Sequence, residues 1–218
     1  MEIRQKFNSQ MAEVYQHILR MGALVEEALH KALTAVRNHD MELAERVVKD
    51  DEAIDNYQNR IEDLCTVIIA TEQPVATDLR ELVTTIKIVS DLERIGDHAR
   101  HLAKSVTKVS EPLMARALPL IQEMTSHGIS MVHQALTALS SRNTEQAKAV
   151  AAMDDDIDRM HKELYALIIS IMKEHPDRIE EGTSLIYLNR FLERLGDHVS
   201  NICDWIVYAR TGTHPELK

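Results

Sequence analysis

The sequence predicts an all-α protein built as two pseudo-symmetric three-helix bundles that arose by internal duplication. Three observations lead there. Gly and Pro number only 6 and 5 among 218 residues and aromatics make up 4%, while Leu, Ala, Glu, Met, Ile and Val dominate, a composition suited to long helices. Apolar residues recur at alternating spacings of four and three over long stretches. Short segments also repeat 103 or 100 positions apart: HKALTAV (30–36) with HQALTAL (133–139), DEAID (51–55) with DDDID (154–158), and LERIGDH (92–98) with LERLGDH (192–198). A period that long exceeds a solenoid unit and points to a duplicated domain.

Each element follows in order. Phe7, Met11, Val14, Ile18, Met21, Val25, Ala28 and Ala32 form one unbroken seam of a first helix that stops near Asn38. Asp40 is placed to cap a second helix, with the seam Leu43, Val47, Ile54, Tyr57, Ile61, Leu64 and Ile68 interrupted at Asp50. Pro74, in TEQPVATD, ends it, because proline is disfavoured inside a helix and tolerated in a first turn. A third helix runs from about Val75 to Val109, carrying Ile88, Leu92, Ile95, Ala99, Leu102, Val106 and Val109 on its stripe. Pro112 and Pro119 bracket a break, so the halves are residues 1–110 and 111–218. The second half repeats the plan, and its shorter loop KEHPDRIEEG absorbs the difference between the two offsets. Helices of roughly 30 residues would be about 45 Å long and the molecule elongated.

Charge and cysteine usage exclude several classes. With 35 acidic and 25 basic side chains the net charge is −10, which disfavours binding along a nucleic-acid backbone. The start, MEIRQKFNSQ, carries charges where a signal peptide needs its apolar stretch, and the longest apolar run, YALIISIM (165–172), is far short of the roughly 20 residues that span a bilayer. A soluble, cytoplasmic protein is expected. Cys65 and Cys203 match no metal-ligand spacing and read as buried thiols.

The acidic residues carry the functional signal. Asp51 and Asp55, Glu93 and Asp97, Asp154 and Asp158, and Glu193 and Asp197 are each four apart, so each pair projects from one side of its helix, at a cost of a few tenths of a kcal/mol in repulsion. If helices two and three are antiparallel about a turn near residue 73 or 74, Asp55 stands level with Leu92 and Glu93, and Asp51 with Gly96 and Asp97. A turn near 175 or 176 sets Asp154 level with Asp197 and Asp158 with Glu193. Four carboxylates at one height resist joint ionisation unless cations neutralise them, and a hard, oxygen-seeking metal ion is suited to that. Their places beside the seam put them in grooves between helices.

The neighbouring residues are read more plainly. Gly96 and Gly196 either leave room for ions or let helices approach closely. Arg94 and Arg194 are expected to pair with neighbouring helices, and His98 and His198, turned about 100° from the acidic face, not to be direct ligands. His101, His161 and Asn201 are weaker ligand candidates, His30 and His133 surface residues, and Trp205 and Tyr208 packing residues.

The duplicated E-R-[IL]-G-D-H, the D-x-x-x-D on each preceding helix and QPVATDLREL (73–82) resemble the PhoU family over about Phe7 to Gly212. The resemblance implies two three-helix bundles, multinuclear metal clusters of divalent or ferric ions on Asp51, Asp55, Glu93 and Asp97 and on Asp154, Asp158, Glu193 and Asp197, and a regulatory rather than enzymatic role. It also implies action through the nucleotide-binding subunit of a phosphate ABC transporter and a phosphate-sensing histidine kinase, repressing the phosphate-starvation response when phosphate is plentiful, with a homodimer as the expected assembly. The second half has HPDRIEEG in place of QPVATDLR, and Asp155 and Asp156 crowd Asp154. Two other readings stand beside it: a helical adaptor that binds no metal, and a carboxylate-bridged di-iron protein. The second needs buried Glu-x-x-His pairs, whereas the chain has Glu27 and His30 alone, with Ser130 at the duplicate of Glu27.

Overall fold

The computed structural model describes residues 2–213; the outer bounds of the two halves, residues 1 and 218, lie outside them. Every regular element among the described residues is helical. The first half comprises α1 (Glu2–Asn38), α2 (Met41–Asp50), α3 (Glu52–Glu72) and α4 (Thr77–Lys104), closed by a 3-10 turn over Ser105–Thr107. The second comprises α5 (Glu111–Ser141), α6 (Thr144–Ala152), α7 (Asp154–Glu174) and α8 (Ile179–Thr211), with a 3-10 turn over Pro176–Arg178 ahead of α8. At 37 residues α1 is about 55 Å long.

The start signals act as the sequence suggests. Asp40 sits in extended backbone and its carboxylate accepts the Leu43 N–H at 2.9 Å, and Asn143 caps α6 through the Gln146 N–H at 3.0 Å. Two features differ from the expectation. The second helix of each half is broken in two, at Asp51 and at Met153, where i to i+3 bonds such as Ile54 N–H to Asp51 O (2.9 Å) interrupt the ladder. Pro119 lies inside α5 rather than in a break between halves. Both Pro119 and Ala115, whose carbonyl loses its partner, are exposed, so water satisfies the freed oxygen while Leu113, Ala117 and Ile121 stay buried.

One continuous core runs through both halves, from Ile18 and Met21 through Ile61, Leu92 and Ile95 to Ile157, Leu164 and Leu195. The seam of α1 drifts, burying Leu29 where a strict seven-residue repeat would bury Ala28, because 3.6 residues per turn do not match a 3.5 period. Packing of α4 against α8 joins the halves. No helix among the described residues is long and apolar enough to cross a membrane.

Candidate functional site

The glycines fix where the buried acids lie. A Cβ at residue 96 would stand 2.9 Å from Ile54 Cδ1 and 3.6 Å from Asp51 Oδ1, and one at residue 196 would overlap Asp154 Oδ1. The helices approach closely at both glycines: Asp51, at the start of α3, and Asp154, in α7, bring a carboxylate onto the backbone of α4 and α8. Asp51 is 6% exposed and Asp154 fully buried, whereas an acid of this kind is normally at the surface.

In the first half the structure brings Asp51, Asp55, Glu93 and Asp97 together, as the turn positions required. Burial pushes the Asp51 carboxyl above its ordinary range, with Asp55 and Asp97 adding to the rise and Arg100 opposing it. Burial likewise raises Glu93, followed by the charge of Asp97, and Asp55 and Asp51 add to it against Arg94. Two guanidinium groups cross the set. Arg100 stands 3.0 Å from Asp51 Oδ2 and also bonds Asp97 Oδ1, and Arg94 lies 3.1 Å from Asp97 Oδ2 and 3.4 Å from Glu93 Oε2. The partners of Arg94 are therefore on its own helix, not on neighbouring ones, because residues three apart face each other on α4. Arg100 escaped the sequence reading, although its place three residues after Asp97 was a visible signal.

In the second half burial raises Glu193, with Asp197 and Asp158 adding to the rise and His161 and Arg190 opposing it. Asp154 meets this set through Gly196. The position 100 residues after Arg100 is Ser200, which is buried, so the two sets differ in their built-in cations. Among the described residues no three His, Cys, Asp or Glu side chains converge closely enough to hold a single ion. The donor chemistry nevertheless suits hard cations: all eight ligand candidates are oxygen donors, and Asp51, Glu93 and Glu193 are raised by burial first and by neighbouring carboxylates second, both of which a cation would offset.

The remaining candidates are elsewhere. His98 lies between α4 and α8, 5.6 Å from the Phe191 ring and 5.4 Å from His198, with no hydrogen bond to either ring nitrogen, and burial pushes it down to about 3. Its counterpart His198 bonds Asp91 at 2.9 Å, so duplicated histidines meet different partners because residue 91 is Asp and residue 191 is Phe. His101 stacks on Phe191, and Asn201 is exposed. His30 and His133 are exposed, and Glu27 pairs with Lys31 at 2.8 Å, so no buried Glu-x-x-His ligand is formed there. Trp205 packs edge-on against Tyr208 at 5.9 Å. Cys65 and Cys203 are fully buried, and burial drives both thiols up to about 12.

The chain and its fold have known relatives. The PhoU domain profile matches residues 18–106 and 121–206. The "phosphate-specific transport system accessory protein PhoU homolog" of Clostridium acetobutylicum is 34% identical over 215 residues, 98% of each chain. The protein of the same description from Streptococcus pneumoniae serotype 4 is 35% identical over 215 residues, 99% of this chain and all of the relative. The crystal structure of the phosphate transport system regulatory protein PhoU from Streptococcus pneumoniae superposes with a TM-score of 0.89 at 34% identity, covering 96% of this chain and 99% of that one. PhoU from Pseudomonas aeruginosa does so with 0.88 at 33% identity, covering 95% and 100%.

Proposed function

The chain belongs to the PhoU family, and from that premise we propose that it is a cytoplasmic accessory regulator of phosphate uptake that represses the phosphate-starvation response through contact. Its partners are the nucleotide-binding subunit of a phosphate ABC transporter and a phosphate-sensing histidine kinase, and it works as a homodimer. The observation that carries the reading is full-length similarity to accessory proteins of phosphate transport, joined to the carboxylate sets repeated in both halves.

Asp51, Asp55, Glu93 and Asp97 would hold divalent or ferric ions in the first half, and Asp154, Asp158, Glu193 and Asp197 in the second. Such ions supply positive charge between helices that carry crowded, partly buried carboxylates. The chain's own part is to position those oxygens: Gly96 and Gly196 admit Asp51, at the break before α3, and Asp154 of α7, and Arg94 and Arg100 balance the first set. Those two guanidinium groups favour a second reading for the first half, a metal-independent acidic surface stabilised by arginine.

Deleting the gene tests the regulatory role. Starvation genes should then be expressed in phosphate-rich medium, and restoring the protein should silence them. Normal silencing without the protein, with neither partner recovered on it, would overturn the assignment.

A further inference from the structure

A cavity lies in the seam between the two halves, next to the first carboxylate set, with two residues of its lining, His101 and Lys104, within electrostatic reach of Asp97 and Asp51. Its volume is about 160 Å³, below the roughly 300–1,000 Å³ of pockets for drug-sized ligands. His101, Lys104 and Lys108 approach it from the end of α4 and the turn after it, and Ser184, Tyr187 and Phe191 from α8. None of the described residues lining it is acidic.

In a chain of net charge −10 such a place is unusual. Neither Lys104 nor Lys108 has a carboxylate within ion-pair distance among the described residues, although the Lys104 charge also acts on Asp51, so the cavity is lined by two ammonium groups without a close ion-pair partner. The His101 ring is held flat on Phe191, with centroids 4.0 Å apart and planes at 9°. Burial lowers its basicity first, then Arg100, with Lys104 and Lys108 adding to the fall and Asp97 opposing it. Lysine in the last turn of α4 is explained by the helix dipole, but Lys108 lies beyond that helix.

The duplication supplies an internal comparison. Moving 100 residues along α8, the positions of His101, Lys104 and Lys108 are held by Asn201, Asp204 and Tyr208, and moving back along α4, those of Tyr187 and Phe191 are held by Lys87 and Asp91. At that related crossing two acids stand where a lysine and a phenylalanine stand here, and Lys87 lies over the Trp205 ring at 6.0 Å. Shared ancestry and helix packing therefore do not by themselves produce the cationic cavity.

We propose that this cavity binds a small tetrahedral oxyanion, inorganic phosphate, held by Lys104, Lys108 and His101 with the Tyr187 hydroxyl at the rim. Two charged donors and a neutral imidazole N–H match the acceptor-only surface of such an ion. The choice of phosphate among oxyanions rests on the regulatory reading above; the choice of a small anion rests on the cavity alone. Because the site joins α4 to α8, an ion there would bias how the two halves pack.

Isothermal titration of the full-length protein with inorganic phosphate, in low-salt chloride buffer, tests this. A saturable one-site isotherm is expected, weakened about tenfold or more in the Lys104→Gln/Lys108→Gln protein with an unchanged helical circular dichroism spectrum. Adenosine monophosphate should bind more weakly than the free ion, since the interior does not admit a nucleoside. No saturable binding up to about 10 mM phosphate, equal binding by the double variant, or tighter binding of the nucleotide would overturn the proposal. Loss of gene silencing on deletion, together with no isotherm, would sink the cavity and leave the regulatory role standing.

Discussion

Arg100 stands 3.0 Å from Asp51 across the α3–α4 groove, and the corresponding position in the second half is Ser200. The duplicated acidic sets are thus not electrostatically equal. If cations bind both, the first set must release or share its guanidinium, whereas the second has no arginine at that position. Arg100→Ala should therefore raise the metal affinity of the first set, and competition with a chromogenic chelator would register it. Unchanged affinity would mean that Arg100 does not compete for these carboxylates.

Neutralising a carboxylate should stabilise the metal-free protein. Glu193 is raised by burial and by Asp197, so its folded form gains stability as pH falls and loses it as pH rises through the range where it ionises. At neutral pH in chelator, Glu193→Gln should melt higher than the parent, and it should lose part of any metal-dependent rise in Tm. A lower melting point in chelator would contradict the account of strained ionisation.

His98 sets a limit at low pH. Burial pushes its folded pKa down to about 3 from the ordinary 6.5, so the unfolded chain binds a proton that the folded one refuses. Its contribution is intact above 6.5 and is lost on going down toward 3, at about 1.4 kcal/mol per pH unit. His98→Phe should remove that slope in urea melts between pH 6 and 4, a window of about two units inside the titration range. An unaltered slope would show that His98 titrates normally.

The glycines differ in what they would tolerate. Gly196→Ala drives a methyl into the buried Asp154 carboxylate, an overpacking cost of about 1–3 kcal/mol that exceeds the gain of about 1 kcal/mol from better helix propensity. Gly96→Ala meets the flexible end of Ile54 at 2.9 Å and should cost less. Denaturant melts of the two variants decide it, and equal effects would refute the ordering.

Much of this was readable beforehand, for geometric reasons. Antiparallel helices joined by a short turn fix which residues share a level, so the meeting of Asp51 with Gly96 followed from the position of Pro74 alone. The break at Asp51 did not, because it appeared only as a missed beat at Asp50 in an otherwise regular seam. Pro119 misled because proline's local cost is small where the orphaned carbonyl faces water. The fate of His98 depended on residue 191 of another helix, a contact that no local pattern encodes.

The central claim, that the duplicated carboxylates are cation sites, is tested most directly by elemental analysis of tag-free protein purified without chelator. It should be measured beside a variant with Asp51, Asp55 and Asp97 changed to Asn and Glu93 to Gln, and beside the matching variant at Asp154, Asp158, Glu193 and Asp197. The account predicts bound divalent or ferric ions in the parent, and a loss in each variant of the share held by that half, with helical content retained. Metal content unchanged in both variants would contradict it.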